Sequence, residues 1–409
     1  MDEILTKYFT LESYGIYNIG NENSDSILDT YSLKVFNEQH KIVNNRCLVP
    51  FLYKPDEEYP RVHSNLNCAL NRHKALQNRL RKSATLAQMF NEKMGELDDK
   101  GVITKRGLLT DLWGSFNCEQ KRYHENILLP IRLVIKEEKT TRMRLTLDCK
   151  MVNSLLITGK LLLRPIFDVF MEYRTAPFVA SLDIKAMYYS IEYLGSPTIF
   201  QFLSQDPMKP NNPIEVWMFI RGVMGAKSTQ FLALMCLQKI ANLTETINPL
   251  VAKMIRSGYS DNLFVTAGSA AECNRLLMET IATLEKYHFT CHDIFCETKS
   301  VLKNIPIEKI SQKMDHSLFS ELYVNETQEN NMVRGGTSCL GMKLCHSDSE
   351  ESFIVYDNWI KLVEEKKSRP LTKRRIASTI AGCFSIHNML CPITYYGKAV
   401  LNITWQMEK

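Results

Sequence analysis

Two short apolar runs, far apart in the chain, each carry an aspartate at a tip. The first is Phe178-Val179-Ala180-Ser181-Leu182-Asp183-Ile184. The second is Tyr259-Ser260-Asp261-Asn262-Leu263-Phe264-Val265, preceded by Ser257-Gly258. Both are rich in strand-forming residues and bounded by turn residues. Two strands lying side by side bring Asp183 and Asp261 together in space. Such a carboxylate pair is the donor set of a two-metal phosphoryl-transfer site. Its oxygens hold two Mg2+ ions about 3.5–4 Å apart, to activate an attacking hydroxyl and stabilise a leaving phosphate. Aspartate at a strand end is also a common turn or cap residue. Each stretch alone fits both readings, and the surrounding chain decides between them.

Around the two tips the pattern alternates. Val216–Ile220 reads as a buried strand, Thr229–Ile240 as an apolar helix, 245–256 as its continuation, and Cys273–His288 as a further helix. Strand, helix, strand, helix, strand predicts an α+β fold with helices on one face of an antiparallel sheet. Arg221-Gly222-Val223-Met224-Gly225-Ala226-Lys227-Ser228 is a glycine-rich turn before a helix, which lets backbone approach a phosphate or base. It is neither a P-loop nor a dinucleotide fingerprint.

Upstream, residues 1–60 mix apolar runs with turn signals, and Leu48–Tyr53 reads as extended. From Ser64 to Lys100 the pattern is helical, with Leu66, Leu70, Leu76, Leu80, Leu86, Met89, Phe90, Met94 and Leu97 at threes and fours. Arg72, His73, Lys74, Arg79, Arg81 and Lys82 lie between them, as either a solvated face or a phosphate-contacting one. Gly101-Val102-Ile103 closes this unit. Ile127–Ile135 and Arg142–Asp148 read as a hairpin with a basic tip, Lys136 to Thr141. It is either a solvated edge or a triphosphate clamp made by Arg144 with Lys136 or Lys139. Downstream, Ser338–Leu344 and Phe353–Tyr356 read as a hairpin across an acidic turn. The basic run Lys361–Arg375 and a helix over Lys373–Ile386 follow.

The chain of 409 residues has room for two or three subdomains. A net charge of +5 permits a polyanionic partner without requiring one. Its 12 cysteines contain no Cys-x-x-Cys pair, so neither a zinc site nor a disulfide framework is expected. Reduced thiols in the cytosol or nucleus are the expectation. Ile376–Gly397, the longest run free of Asp, Glu, Lys and Arg, contains polar residues and Pro392. It reads as a buried helix and turn rather than a membrane span.

Taken in order, these segments resemble the reverse transcriptase region of Pao/BEL-type LTR retrotransposon polyproteins. Leu11-Glu12-Ser13-Tyr14-Gly15-Ile16 resembles the W-E-L-E-x-x-G-I segment that precedes that polymerase. Ala69–Arg72 with Leu76–Leu80 resembles its basic leader helix. Pro130–Lys136 and Arg144–Asp148 resemble the H-P-V-x-K and R-V-V-F-D strands of a fingers hairpin, and Gly159-Lys160-Leu161-Leu162 resembles the K-G-P-x-L-L after it. Asp183–Tyr188 resembles D-I-E-K-M-F (motif A), Met224–Phe231 resembles F-G-x-x-S-S-P-F (motif B), and Tyr259–Asn262 resembles Y-V-D-D (motif C). Leu340–Lys343 resembles L-G-L-x-W, and Leu371–Arg375 through Trp405 resembles P-T-K-R … L-W.

The resemblance implies a right-hand polymerase, reverse-transcriptase-like, with fingers, an antiparallel palm sheet and helices on one face of it. Residues 1–100 would be a leader segment, 101–335 fingers and palm, and 336–409 the C-terminal part. Asp183 and Asp261 would ligate Mg2+, with Mn2+ an alternative. Asn262 completes the catalytic motif. Lys136, Arg144, Tyr188, Gly225 and Lys227 would bind substrate, Tyr188 as the ring that excludes a 2′-hydroxyl. The implied partners are an RNA or DNA template-primer and deoxynucleoside triphosphates, with no membrane. RNase H and integrase would belong to other parts of a longer polyprotein. Three positions depart from the family: Asn262 replaces a second aspartate, Gln230 a proline, and Asp293 a lysine that donates a proton to pyrophosphate. Lys299 or Lys286 would be the substitute for that lysine, and the sequence places neither. Two functions follow. One is an RNA-directed DNA polymerase. The other is a catalytically silent nucleic-acid-binding protein with the same fold.

Overall fold

The computed structural model describes residues 26–55, 64–113, 127–135, 143–165, 176–296 and 298–311. Short pieces at 168–169, 171–172, 337–339, 342–346, 352–355, 372, 395–396, 398–400 and 402–403 complete it. Leu11–Ile16, the hairpin tip with Lys136 and Lys139, the basic run Lys361–Arg375 apart from Thr372, the helix expected over Lys373–Ile386, and Trp405 lie outside the described residues.

Helix α1 (Ile27–Gln39) starts at a capping box: the Ser26 hydroxyl accepts from the Asp29 N–H, and the Asp29 carboxylate accepts from the Ser26 N–H. Strands β1 (Lys41–Val43) and β2 (Arg46–Val49) follow, joined through Asn44 and Asn45, both at positive φ. Asparagine tolerates that backbone, which matches the twist of a two-residue hairpin turn. The helical pattern over 64–100 is two helices, α2 (Leu66–Arg81) and α3 (Ala84–Asp99). Ser83 breaks it by taking an extended backbone and capping Leu86 N–H with its hydroxyl. The buried stripe of α2 is Ala69, His73, Gln77 and Leu80. His73 therefore belongs to the packed face, whereas Arg72, Lys74, Arg79, Arg81 and Lys82 are exposed.

Ile103, expected to close the helical unit, instead opens strand β3 (Ile103–Leu108), which leads into α4 (Leu109–Trp113). Strands β4 (Ile131–Ile135) and β5 (Met143–Leu147) form the expected hairpin, in register from Ile131↔Leu147 to Ile135↔Met143. Ile127–Pro130 stay outside its ladder. Then come α5 (Lys150–Leu155), β6 (Phe178–Ile184), β7 (Ile191–Tyr193), β8 (Gln201–Ser204), β9 (Glu215–Phe219) and α6 (Thr229–Glu245). Helix α7 (Pro249–Arg256) does not continue α6. Asn248 caps it on Val251 N–H, and Pro249 fills its first position, where a missing N–H costs nothing. Strand β10 (Asn262–Ala267), helix α8 (Ala270–Lys286) and strand β11 (Cys291–Cys296) complete the central part. Strands β12 (Thr337–Cys339), β13 (Met342–His346) and β14 (Ser352–Val355) form a three-stranded meander. The strand expected over Ser338–Leu344 thus reverses between Cys339 and Met342.

These elements are a mixture of helices and small, mainly antiparallel sheets. They divide into two compact units, residues 1–162 with 191–235 and residues 163–190 with 236–409. In the first unit β3-β9-β8 is antiparallel, and β1-β2-β7 contains a parallel pair, β2 with β7. In the second unit the sheet order is β10-β6-β11, antiparallel throughout. Helix α8 packs on this sheet through Cys273, Leu276, Leu277, Thr280, Ile281 and Leu284, a stripe of threes and fours. Among the described residues no helix is long and apolar enough to cross a membrane.

Candidate active site

Strand β6 lies at the centre of its sheet, so residues near its end have a neighbour on each side. Asp183 pairs with Asn262 on β10 and with His292 on β11. Directly opposed residues of antiparallel strands share a face. Asn262, Asp183 and His292 therefore form one row across three strands. The alternate residues Ala180, Leu182 and Ile184 are buried, and the Cys273 thiol of α8 donates to Val265 O on the same sheet. The row occupies the opposite face from that buried set. There Phe264 and Phe295, both beside Ser181, close the middle of the sheet, and Asp183 and Asn262 stay half-buried at its end.

Asp261 sits in a tight turn rather than within a strand. Tyr259 N–H donates to Asn262 O at 2.8 Å, and Asn262 N–H donates to Tyr259 O at 3.0 Å. Ser260 has φ 57 and Asp261 does not share a positive φ, the pattern of a type II′ turn. The turn is fixed to β6 because Ile184 N–H donates to Asp261 O at 2.9 Å. Its approach is held by Arg164, which donates to Ser257 O at 3.1 Å, and by the Ser257 hydroxyl on Met254 O. The two aspartates singled out in the sequence thus meet at one end of one sheet. Asn262 directs its side-chain amide at Asp261 Oδ1, 3.4 Å away. A second aspartate there would add repulsion in the absence of a cation.

Tyr188 lies in the single turn Met187–Ser190 that follows β6, half-buried. Burial raises its phenol above the ordinary range, and the charge of Asp261 adds to the effect. The ring therefore stands near the carboxylate end of the sheet. His292, which sequence reasoning passed over, has Nε2 at 3.5 Å from Asp183 Oδ2. Burial lowers its pKa and Lys185 pushes the same way, against Asp293 and Asp261. The net shift favours the neutral imidazole. After His292 the register with β6 slips in a β-bulge, and Asp293 takes φ 49. The Ser311 hydroxyl donates to Asp293 Oδ1 at 2.6 Å. Lys286 lies over the Tyr287 ring at 5.6 Å.

The remaining candidates, apart from Lys136, belong to the first unit. Asn153 on α5 ties the glycine-rich turn down: its Nδ2 donates to Gly225 O, and its Oδ1 accepts from Lys227 N–H, both at 2.9 Å. The sequence offered no signal for Asn153, because the contact spans more than seventy residues. Gly225 has φ 106, a backbone that side chains rarely adopt, and a Cβ there would meet Leu147 O at 3.5 Å. Lys227 has its pKa lowered by burial and by the neighbouring Lys54. Arg144 is exposed on the outer face of its hairpin, where Arg132 pairs with Asp148 at 2.7 Å.

Asp183, Asp261 and the amide oxygen of Asn262 are hard oxygen donors of the kind Mg2+ takes. Two of these donors are anionic and the third is neutral, a donor chemistry compatible with a divalent cation. No family model matches this chain, and no curated protein matches it.

Proposed function

We propose that this chain is an RNA-directed DNA polymerase of the right-hand type, similar to the reverse transcriptase region of Pao/BEL-type retrotransposons. The observation that carries this reading is the meeting of Asp183 with the Asp261 turn at one end of an antiparallel sheet. In this reading β10-β6-β11 is the palm sheet, and Asp183 and Asp261 are the metal ligands. Bound Mg2+ or Mn2+ supplies charge neutralisation of the triphosphate and a lowered pKa for the primer hydroxyl. Asn262 contributes a neutral oxygen. Tyr188 excludes a 2′-hydroxyl beside Asp261. In the first unit, taken by itself, Arg144 and Lys227 are cations of the kind that bind a triphosphate, and Gly225 permits close backbone approach. The partners are then an RNA or DNA template-primer and deoxynucleoside triphosphates, in the cytosol or nucleus. RNase H and integrase activities would reside in other parts of a polyprotein.

A second reading has specific support. The Asn262 amide already engages Asp261, and Asp293 stands at the expected lysine position with its carboxylate bonded to Ser311. A catalytically silent nucleic-acid-binding protein of the same fold would tolerate both. Primer extension on an RNA template, run beside binding of the same primed template at about 50 and 200 mM salt, separates the two. Extension that Asp261→Ala abolishes supports the polymerase. Salt-sensitive binding without extension supports the silent protein. Neither binding nor extension sinks both.

A further inference from the structure

We propose that His292 is a further metal ligand beside Asp183, and that this end of the sheet takes a first-row transition dication such as Mn2+ or Co2+ in preference to Mg2+. The inference rests on the reading of Asp183 and Asp261 as metal ligands and deepens it.

The geometry comes first. His292 and Asp183 are directly opposed on adjacent strands, on one face, with Nε2 and Oδ2 at 3.5 Å. Two donors bound to one cation at right angles, each about 2.1 Å away, stand about 3 Å apart. A cation therefore enters between them with a shift of a few tenths of an ångström. Asp183, Asp261 and His292 do not all lie within 4.8 Å of one another. Binding by all three requires the Asp261 side chain to rotate out of its weak contact with the Asn262 amide.

The chemistry of the donors comes second. Mg2+ prefers oxygen and holds its waters, whereas an imidazole nitrogen favours Mn2+, Co2+ and the later metals. Asn262 moves the balance further, because it replaces a hard anionic oxygen with a neutral amide. A set of two carboxylates, one amide and one imidazole is a mixed nitrogen and oxygen site. The bulge that follows His292 keeps both His292 and Phe295 on the Asp183 face.

The test measures metal binding on the full chain, by Mn2+ electron paramagnetic resonance and Co2+ visible absorption, with Mg2+ as competitor. Wild type is expected to bind Mn2+ and Co2+ at least about tenfold more tightly than Mg2+. His292→Ala is expected to lose about 10–100-fold in affinity for both while Mg2+ binding changes little. His292→Asp, which exchanges nitrogen for oxygen, is expected to restore binding with the preference against Mg2+ removed. That variant keeps the inference open to refutation should the alanine variant fail to fold by circular dichroism. Unchanged Mn2+ and Co2+ affinity in folded His292→Ala would overturn the inference and leave His292 as a polar neighbour of Asp183. Binding insensitive to Asp183→Ala would overturn it together with the ligand reading. Primer extension separates the two claims. Extension with Mn2+ that His292→Ala leaves intact preserves the polymerase and removes the metal preference. Metal binding that depends on His292, without extension, preserves the site and removes the polymerase.

Discussion

At the scale of single residues, the turn that carries Asp261 depends on what is absent at Gly258. A Cβ there would fall 2.3 Å from Leu263 Cδ2 and 3.1 Å from Asn262 O. Leu263 is buried, so it has little room to retreat. Gly258→Ala is expected to cost about 1–3 kcal/mol by overpacking, read as a lower urea midpoint with unchanged slope. A variant as stable as wild type would show that Leu263 repacks freely. Asp183 and Asp261 are legible in the amino-acid sequence because one lies near the end of a run of strand-forming residues and the other directly precedes such a run. His292 is not. It matters through its position opposite Asp183, and register between strands that far apart is fixed by the whole sheet rather than by the residues near Cys291. Asn153 is the same case in the first unit.

At the scale of elements, the apolar periodicity of α2 and α8 is enough to find them, and their ends are harder. The break at Ser83 and the cap at Asn248-Pro249 are ordinary start signals that the continuing apolar pattern masks. The box Ser26 to Asp29 is equally available as the sign of α1. The basic cluster on α2 hides a different error, because His73 lies one turn from Ala69 on the buried stripe and not with the cations. Burial pushes its pKa down to about 4. In the unfolded chain an imidazole titrates near 6.5. Below that value the unfolded state takes up a proton that the folded state refuses, so stability falls from about pH 6.5 towards pH 4. The loss is expected to reach roughly 3 kcal/mol at the lower end. Urea unfolding at pH 7 and pH 4.5 checks it: His73→Leu should lose markedly less stability than wild type between the two. Equal losses would show that other groups carry the acid sensitivity.

At the scale of the whole molecule, the alternation of strand and helix around the two aspartates foretells the α+β mixture. The order β10-β6-β11 is less accessible. Its middle strand is the first of the three in sequence, and α6, α7 and α8 intervene before the sheet is complete. The parallel β2–β7 pair brings together residues more than 140 apart, which no local pattern announces. Each unit is likewise assembled from two separate stretches of chain. The catalytic candidates follow that division. Asp183, Tyr188, Asp261, Asn262 and His292 lie in the second unit, and Arg144, Gly225 and Lys227 in the first. The most direct measurement is single-primer extension on an RNA template, in Mg2+ and in Mn2+, by wild type, Asp183→Ala and Asn262→Asp. The expected result is extension by wild type, none by Asp183→Ala, and a rate at least about tenfold higher for Asn262→Asp, which restores an anionic ligand. No extension by wild type or by Asn262→Asp, with both proteins folded and still binding the primed template, would contradict the polymerase.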